Sequence, residues 1–257
     1  MTPFDPLLLL ASAAVEAVVN RQLVIMTSDD LKKAAAYAAA DLVADGMLVG
    51  LGSGSTLVHV LRRLGERVRD SGLRIVGVPT SYQARALAIE CGIPIREAMD
   101  VSELDMALDG ADEIDPAGNH LKGAGGAQVI EKIIASMARR YLVVADGSKW
   151  VEHLGRKHPV VAEVVTPALA SAMRRFRELG GRPVMRTSGG KLGPVISDLG
   201  NPIVDVQFDG IDDPARLDAE LNAIPGLVGH GLFVGLAAGA VIARADEAGA
   251  TVEIVEF

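Results

Sequence analysis

The stretch Met47-Leu48-Val49-Gly50-Leu51-Gly52-Ser53-Gly54-Ser55-Thr56 decides the fold class of this sequence. Its first half, residues 47–51, is a short apolar run that predicts a buried strand. Its second half is rich in Gly and Ser, and the residues 57–69 that follow carry apolar side chains at helical spacing. The stretch therefore predicts a strand, a tight turn and a helix, which together form the repeating unit of a mostly parallel α/β sheet.

The same unit recurs on both sides of this stretch, up to about Trp150. A helix is predicted to begin near Ser28, with Ser28 as its N-cap and acidic residues in its first turn. Strands that alternate with helices in this way imply a parallel sheet covered on both faces. Further predicted helices span 81–91 and 127–139, and the predicted strands span 74–78, 93–95, 104–108 and 141–145.

The rhythm changes after Trp150. Residues 188–193 have the composition of a hairpin turn, and the elements around them no longer alternate regularly. The pattern predicts a small α+β unit, followed by a C-terminal group of apolar strands. The strands are predicted at 160–165, 184–187, 194–198, 203–208, 232–236, 241–243 and 251–255, and the helices at 167–179 and 214–222.

The composition excludes several classes of protein. The 257 residues include 33 acidic and 25 basic side chains, which gives a formal net charge of −8. This balance argues against nonspecific nucleic-acid binding but leaves room for a small phosphorylated ligand. The single cysteine, Cys91, cannot form an internal disulfide, which favours a reducing compartment, and its setting favours a small buried residue over a nucleophile.

Residues 1–25 differ from the rest and are interpreted as an N-terminal extension. No basic residue precedes the apolar run at 7–10, although a signal peptide requires one, and Glu16 interrupts the run before it is long enough to span a membrane. The segment is therefore predicted to be neither a signal peptide nor a transmembrane helix. Two alternatives stay open, an appended helix or an upstream start codon with Met26 as the native first residue.

The Gly-rich turn is a candidate anion site. Glycines let the backbone approach a ligand, and the free amides at the start of the next helix, with the hydroxyls of Ser55 and Thr56, suit a phosphate. The spacing matches neither a P-loop nor a dinucleotide fingerprint. An ordinary tight turn is the alternative interpretation.

Charged residues lie in three further motifs, each next to a predicted strand or a Gly-rich turn. The run Asp109-Gly110-Ala111-Asp112-Glu113-Ile114-Asp115 either faces a polar substrate or forms a solvated acidic turn. Lys122 precedes the Gly-rich run 123–126 and can neutralise an oxyanion. Glu131, in the helix that follows, is either a general base or an acid that favours a helix start. Lys149 follows the next strand, where it either reaches the same edge of the sheet or is solvated.

All of these motifs lie at predicted carboxyl ends of strands, where ligands bind in parallel sheets. Together they offer anion donors, carboxylates, a lysine and a base, which suits proton transfer on a small phosphorylated and hydroxylated substrate. The five His residues show no paired metal-ligand spacing, and there is no Cys cluster. The sequence therefore predicts no metal site.

Taken in this order, the motifs resemble those of the ribose-5-phosphate isomerase type A family. The resemblance covers residues 26–257. Ser53 and Ala124 stand where the family has Thr and Gly, and both keep a small side chain. The motifs are Gly-Leu-Gly-Ser-Gly-Ser-Thr at 50–56, Asp-Gly-Ala-Asp-Glu at 109–113, Lys-Gly-Ala-Gly-Gly-Ala at 122–127, Glu-Lys-Ile-Ile-Ala at 131–135, Ala-Asp-Gly-Ser-Lys at 145–149 and Asn-Ala-Ile-Pro-Gly at 222–226.

The resemblance implies a fold and a setting. The fold is a Rossmann-like domain with a mostly parallel sheet, formed by residues 26–156 and 228–257, and a smaller inserted α+β domain of ferredoxin-like type at 157–227. The enzyme would be a cytoplasmic homodimer or homotetramer with no nucleic-acid or membrane partner. Two alternatives are a sugar-phosphate-sensing effector domain and a related phosphosugar enzyme, a deaminase or transferase. A sensor has no need of Glu131 together with Lys122.

The resemblance also implies an activity, the interconversion of ribose 5-phosphate and ribulose 5-phosphate through a cis-enediolate without a cofactor. Glu131 would move the proton between C2 and C1, and Asp109 would assist ring opening. Asp112 and Lys122 would hold the enediolate oxygens. The implied phosphate ligands are Ser55, Thr56, Lys149 and Lys32, and the other implied substrate contacts are Ser53, Gly54, Gly110, Ala111, Gly123, Ala124 and Gly125.

Overall fold

The computed structural model describes residues 26–246 and 249–257, so the expectations for residues 1–25 lie outside the described part of the chain. The helices are α1 (Ser28–Asp41), α2 (Ser55–Ser71), α3 (Tyr82–Glu90), α4 (Gln128–Met137), α5 (Leu169–Glu178) and α6 (Pro214–Asn222). The strands are β1 (Leu48–Leu51), β2 (Val76–Pro79), β3 (Met106–Asp109), β4 (Glu113–Ile114), β5 (His120–Leu121), β6 (Tyr141–Asp146), β7 (Val160–Val164), β8 (Arg182–Met185), β9 (Thr187–Ser188), β10 (Lys191–Pro194), β11 (Ile203–Gln207), β12 (Leu227–His230), β13 (Leu232–Phe233), β14 (Gly239–Asp246) and β15 (Gly249–Glu256).

The larger unit is built on a six-stranded sheet in the order β15-β14-β6-β3-β1-β2. All neighbouring strands are parallel except β14 and β15. Side chains alternate between the two faces of β6, so Leu142 and Val144 pack in the core with α1 and α2, whereas Tyr141 and Val143 pack on the other face with Ile134 of α4. Helices thus cover both faces, and the predicted mostly parallel sheet is confirmed.

The parallel strands bring their carboxyl ends to one edge of the sheet. Leu51 of β1 lies opposite Leu108 of β3, and Asp109 of β3 lies opposite Val143 of β6. The chain segments that leave β1 and β3 therefore start side by side, and β6 extends three residues further at the same edge. This edge is where the sequence motifs are expected to converge.

The smaller unit follows the order β7-α5-β8-β11-α6-β12, with the β9–β10 hairpin inserted after β8. Its four strands form an antiparallel sheet in the order β12-β7-β11-β8. This β-α-β-β-α-β arrangement is ferredoxin-like. Phe176 of α5 and Leu221 of α6 are buried against Val204 and Val206 of β11. The expected boundary between residues 227 and 228 falls inside β12, which pairs with β7.

Four local expectations were wrong. The N-cap of α1 is Thr27 rather than Ser28, because the Thr27 hydroxyl accepts from Asp30 N and the Asp30 carboxylate accepts from Thr27 N. Residues 93–95 form no strand and contribute a single bridge from Ile95 to Gly77. The hairpin turn is shorter than 188–193, because Ser188 and Lys191 already pair across it, and the strand expected at 194–198 is found at Lys191–Pro194 instead.

Cys91 follows α3 and packs at the edge of the main core. Burial raises the pKa of its thiol. A thiol with a raised pKa is a poor nucleophile at neutral pH, which agrees with the expected packing role. Among the described residues, no helix is both long and apolar enough to cross a membrane.

Candidate active site

A cavity of about 320 Å³ opens at the carboxyl edge of the six-stranded sheet. Nearly all of the predicted site residues line it. Asp109 is the exception, since it lies buried beneath the lining and contacts Lys122. The predicted residues in the lining are Lys32, Ser53, Gly54, Ser55, Thr56, Gly110, Ala111, Asp112, Lys122, Gly123, Ala124, Gly125, Glu131 and Lys149.

One end of the cavity is formed by the start of α2. Gly54 is the N-cap of this helix and has a φ of +97°, a region that favours glycine. The N–H groups of the first helical turn have no partner within the helix, and they are adjacent to the hydroxyls of Ser55 and Thr56. Lys32 of α1 and Lys149 in the turn after β6 line the same cavity. This combination of amides, hydroxyls and ammonium groups suits a phosphate.

Ser53 joins this end of the cavity to the segment after β2 and to Asp109. Its hydroxyl lies 2.7 Å from Thr80 Oγ1 and 2.6 Å from Ser81 Oγ, so it is engaged with the segment that follows β2. Its backbone N–H donates to Asp109 Oδ1 at 3.2 Å. The preceding Gly52 has no room for a side chain, because a Cβ there would lie 2.3 Å from Asp109 Oδ1. The Gly-rich turn thus lies directly on the Asp109 carboxylate.

Three buried charged side chains lie together at this cavity, where Lys122 and Glu131 line it and Asp109 lies beneath them. Lys122 Nζ lies 3.0 Å from Asp109 Oδ1 and 3.3 Å from Glu131 Oε1, and it donates to Gly110 O at 2.8 Å. Lys122, Asp109 and Glu131 are 4%, 3% and 6% exposed. One ammonium group is therefore shared by two carboxyls in a site that is shielded from solvent.

Burial raises the pKa of both carboxyls, and it raises that of Glu131 to about 8. The charge of Asp109 adds to the rise for Glu131, and Lys122 opposes it. Asp109 also accepts from the N–H groups of Ser53 and Gly110, which oppose the rise in its pKa and favour the negative charge on Asp109 over Glu131. Burial lowers the pKa of Lys122, but the two carboxyls outweigh it and raise that pKa, so Lys122 stays charged.

The acidic residues of the run 109–115 do not all face the cavity. Asp112 lines the cavity and accepts from Ala124 N at 3.1 Å. Glu113 points away and accepts from the N–H groups of Gly155, Lys157 and His158. Asp115 accepts from residues 117 and 119 in its own loop. The solvated-turn interpretation was therefore wrong for Glu113, which is buried, and the last two acids stabilise backbone rather than the cavity.

Several lining residues were missed from the sequence. Ser81, Tyr82 and Gln83 follow β2, and Gln83 Oε1 accepts from Gly54 N at 2.9 Å. The rule that ligands bind at the ends of parallel strands also applies to β2 and could have found them. Asp198 comes from the smaller unit, and its carboxylate accepts from Tyr82 N at 3.5 Å. No sequence pattern links Asp198 to this edge.

His120 is buried but serves as a structural residue. Its Nδ1 lies 3.0 Å from Gly118 O and its Nε2 lies 3.0 Å from the Tyr141 hydroxyl. A carbonyl oxygen only accepts, so Nδ1 carries the hydrogen and Nε2 accepts from Tyr141. Burial lowers the pKa of His120 to about 3, which keeps it neutral. Within residues 26–246 and 249–257, no group of three or more His, Cys, Asp or Glu side chains is arranged to hold a metal ion.

Known proteins are similar to this chain in sequence and in fold. The sequence model of the ribose 5-phosphate isomerase A (phosphoriboisomerase A) family matches residues 76–247. Ribose-5-phosphate isomerase A of Thermosynechococcus vestitus is 51% identical over 215 residues, which cover 82% of this chain and 91% of that protein.

Solved structures extend the similarity to three dimensions. A D-ribose-5-phosphate isomerase in complex with phospho-erythronic acid has a TM-score of 0.86 and 40% identity, and the match covers 90% of this chain and 100% of that one. Ribose 5-phosphate isomerase A of Methanocaldococcus jannaschii has a TM-score of 0.84 and 38% identity, with the same coverage of 90% and 100%. The chain is therefore an isomerase that belongs to the ribose 5-phosphate isomerase A family.

Proposed function

We propose that the chain interconverts D-ribose 5-phosphate and D-ribulose 5-phosphate, with Glu131 moving a proton between C2 and C1 through a cis-enediolate. One observation carries this proposal. Glu131 lines the cavity, and its Oε2 is buried with no hydrogen-bond partner among the described residues, while Oε1 contacts Lys122. A buried carboxyl oxygen without a partner is positioned to exchange a proton with a bound substrate.

The chemistry uses the neighbouring charges. In its ionised form, Glu131 removes the C2 proton of the open-chain aldose, and the electron pair moves through C1 to the carbonyl oxygen. The O2 hydroxyl proton passes to O1, and when Glu131 returns its proton to C1 the electron pair on O2 forms the C2 carbonyl, which gives the ketose with no net oxidation. The Lys122 ammonium stabilises the negative charge on the enediolate oxygens. Asp109 assists ring opening, and Asp112 acts with Lys122 in holding those oxygens.

The phosphate is proposed to bind at the start of α2. Ser55, Thr56, Lys32 and Lys149 supply hydroxyl and ammonium donors there, in addition to the free amides of the first helical turn. The structure with phospho-erythronic acid concerns a protein 40% identical to this one, and its ligand likewise combines a phosphate with hydroxyl groups. The proposed contacts to the sugar are Ser53, Gly54, Gly110, Ala111, Gly123, Ala124 and Gly125.

We also propose a location, an oligomeric state and a domain division for the enzyme. The enzyme is cytoplasmic, it forms a homodimer or homotetramer, and it has no nucleic-acid partner, which the net charge of −8 supports. Residues 26–156 and 228–257 form the catalytic domain and 157–227 the smaller domain. Because β12 pairs with β7, the boundary is better drawn after His230 than before Val228. A sugar-phosphate sensor would not need the buried Lys122–Glu131 pair.

Steady-state kinetics with ribose 5-phosphate test this function. We expect the purified protein to form ribulose 5-phosphate without added metal or nucleotide. Lys149→Ala should raise KM about tenfold or more, because it removes a charged donor to the phosphate, and it should leave kcat nearly unchanged.

Lys157→Ala is the matched control, since Lys157 is exposed and outside the cavity lining. Its KM should equal that of the wild type. No turnover by the wild type would favour the sensor alternative. A loss confined to kcat in Lys149→Ala would argue against a phosphate role for this lysine.

A further inference from the structure

Arg186 of the smaller unit reaches the segment that carries the catalytic groups. It lies between β8 and β9, and its side chain is only 17% exposed. Its Nη1 donates to Gly123 O at 2.9 Å and to Ala124 O at 3.0 Å. The rest of the guanidinium pairs with Asp205 of β11, from Nε to Oδ2 at 2.9 Å and from Nη2 to Oδ1 at 2.5 Å. One side chain therefore joins the smaller sheet to the 122–126 segment.

These contacts fix the orientation of two peptide groups. In a trans peptide the C=O and the following N–H point in opposite directions. When Arg186 holds the carbonyls of Gly123 and Ala124, the N–H groups of Ala124 and Gly125 are turned away from it. The Ala124 N–H then meets the Asp112 carboxylate at 3.1 Å, and Gly125 lines the cavity.

The segment also leaves little freedom for Lys122. Lys122 N donates to Gly231 O at 2.8 Å, and Gly123, with a φ of +112°, lies so close to β7 that a Cβ would be 2.7 Å from Val161 Cβ. Lys122 is thus held through its own N–H by Gly231 and, one residue further along, by the contacts of Gly123 with Val161 and Arg186. A displacement of this segment would move the ammonium group away from Glu131.

We propose that Arg186, held in place by Asp205, is a positioning residue for the isomerisation that fixes the 122–126 segment so that Lys122 and Asp112 keep their catalytic geometry. The inference rests on the proposed roles of those two residues. Arg186 itself is absent from the cavity lining. Its effect is therefore expected on the chemical step rather than on phosphate binding.

The test compares Arg186→Gln with wild type in kcat, KM and inhibition by inorganic phosphate. We expect kcat to fall about 10- to 100-fold, because small misplacements of catalytic groups have effects of this size, and phosphate inhibition to stay unchanged. Arg186→Lys should lower kcat less than Arg186→Gln, because its ammonium keeps the positive charge. Its kcat should still fall below that of wild type, because one ammonium cannot span Asp205 and two carbonyls. Asp205→Asn should lower kcat in the same direction.

A pH profile separates positioning from general stability. When Lys122 moves away, it no longer lowers the pKa of Glu131, so the rise of kcat/KM with pH should shift to higher pH in Arg186→Gln. Arg182→Gln is the matched control, because Arg182 makes a similar paired contact with Asp209 on the exposed surface of the same unit. It should match the wild type in kcat and in pH profile.

Three results would overturn the inference. They are an unchanged kcat in Arg186→Gln, a parallel loss of kcat and phosphate affinity, and an unshifted pH profile despite a lower kcat. If Arg186→Gln does not fold, the same criteria apply to Arg186→Lys. Activity that survives in Lys122→Met would instead refute the proposed role of Lys122, so the two failures are distinguishable.

Discussion

Glu131→Gln is expected to lower kcat about 10²- to 10⁴-fold, the usual contribution of a general base. Gln has nearly the shape of the protonated carboxyl but cannot accept the C2 proton. The phosphate site at the start of α2 is untouched, so inhibition by inorganic phosphate should stay at the wild-type level. Glu152→Gln, an exposed residue outside the cavity lining, is the control and should retain full activity.

The folded state of this variant can be checked by its Tm. The pKa of Glu131 is raised from 4.5 to about 8 by folding, so the folded state binds this proton more tightly than the unfolded state. The Glu131 proton therefore stabilises the folded wild-type protein fully below pH 4.5. This contribution to the free energy of unfolding is lost as pH rises through 8. Gln does not titrate, so the Tm of the variant should equal or exceed that of wild type at alkaline pH. Substantial turnover by a folded Glu131→Gln would refute the assignment of the base.

Lys122→Met should also lower kcat about 10²- to 10³-fold, the effect of removing an electrostatic stabiliser of a developing oxyanion. Met fills a similar volume but leaves the enediolate oxygens without a cation. It also leaves Asp109 and Glu131 facing each other without the shared ammonium, so the pKa of Glu131 should rise further. Both effects lower the rate at neutral pH.

The control for this variant is Lys157→Met, which replaces an exposed lysine. It should leave kcat and KM unchanged. Lys122→Met should leave inhibition by inorganic phosphate intact, because the phosphate ligands lie on other elements. A kcat close to that of wild type in Lys122→Met would contradict the oxyanion role.

The catalytic edge could be predicted from the sequence because its location follows from local patterns of strands and turns. The apolar run before Gly52 and the runs before Asp109 and Lys149 read as strands, and parallel strands end at a common edge. That rule is sufficient to place the Gly-rich turn, Asp109 and Lys149 at one edge from the sequence alone. The prediction of a strand failed for residues 93–95, where a short apolar run forms only one bridge. Length and periodicity alone do not distinguish a strand from a packed loop.

Other features depend on tertiary contacts that no local pattern encodes. Asp112 and Glu113 are adjacent acids in one run, yet one lines the cavity and the other accepts three N–H groups from residues more than 40 positions away. Asp198 and Arg186 reach the site from the smaller unit, whose docking is set by packing. The raised pKa of Glu131 likewise results from burial, which the helix pattern around it does not reveal.

The pH dependence of kcat/KM for wild-type protein tests most directly whether buried Glu131 is the base, since this parameter reports groups of the free enzyme. We predict a rise of about tenfold per pH unit below an apparent pKa near 8, followed by a plateau. The substrate phosphate titrates near pKa 6 and is therefore resolved from this rise. Lys122 stays charged across this pH range, so its deprotonation should cause no fall in kcat/KM at the alkaline end of the plateau. A kcat/KM that is flat from about pH 7 to 9 would contradict a base whose pKa burial raises to about 8.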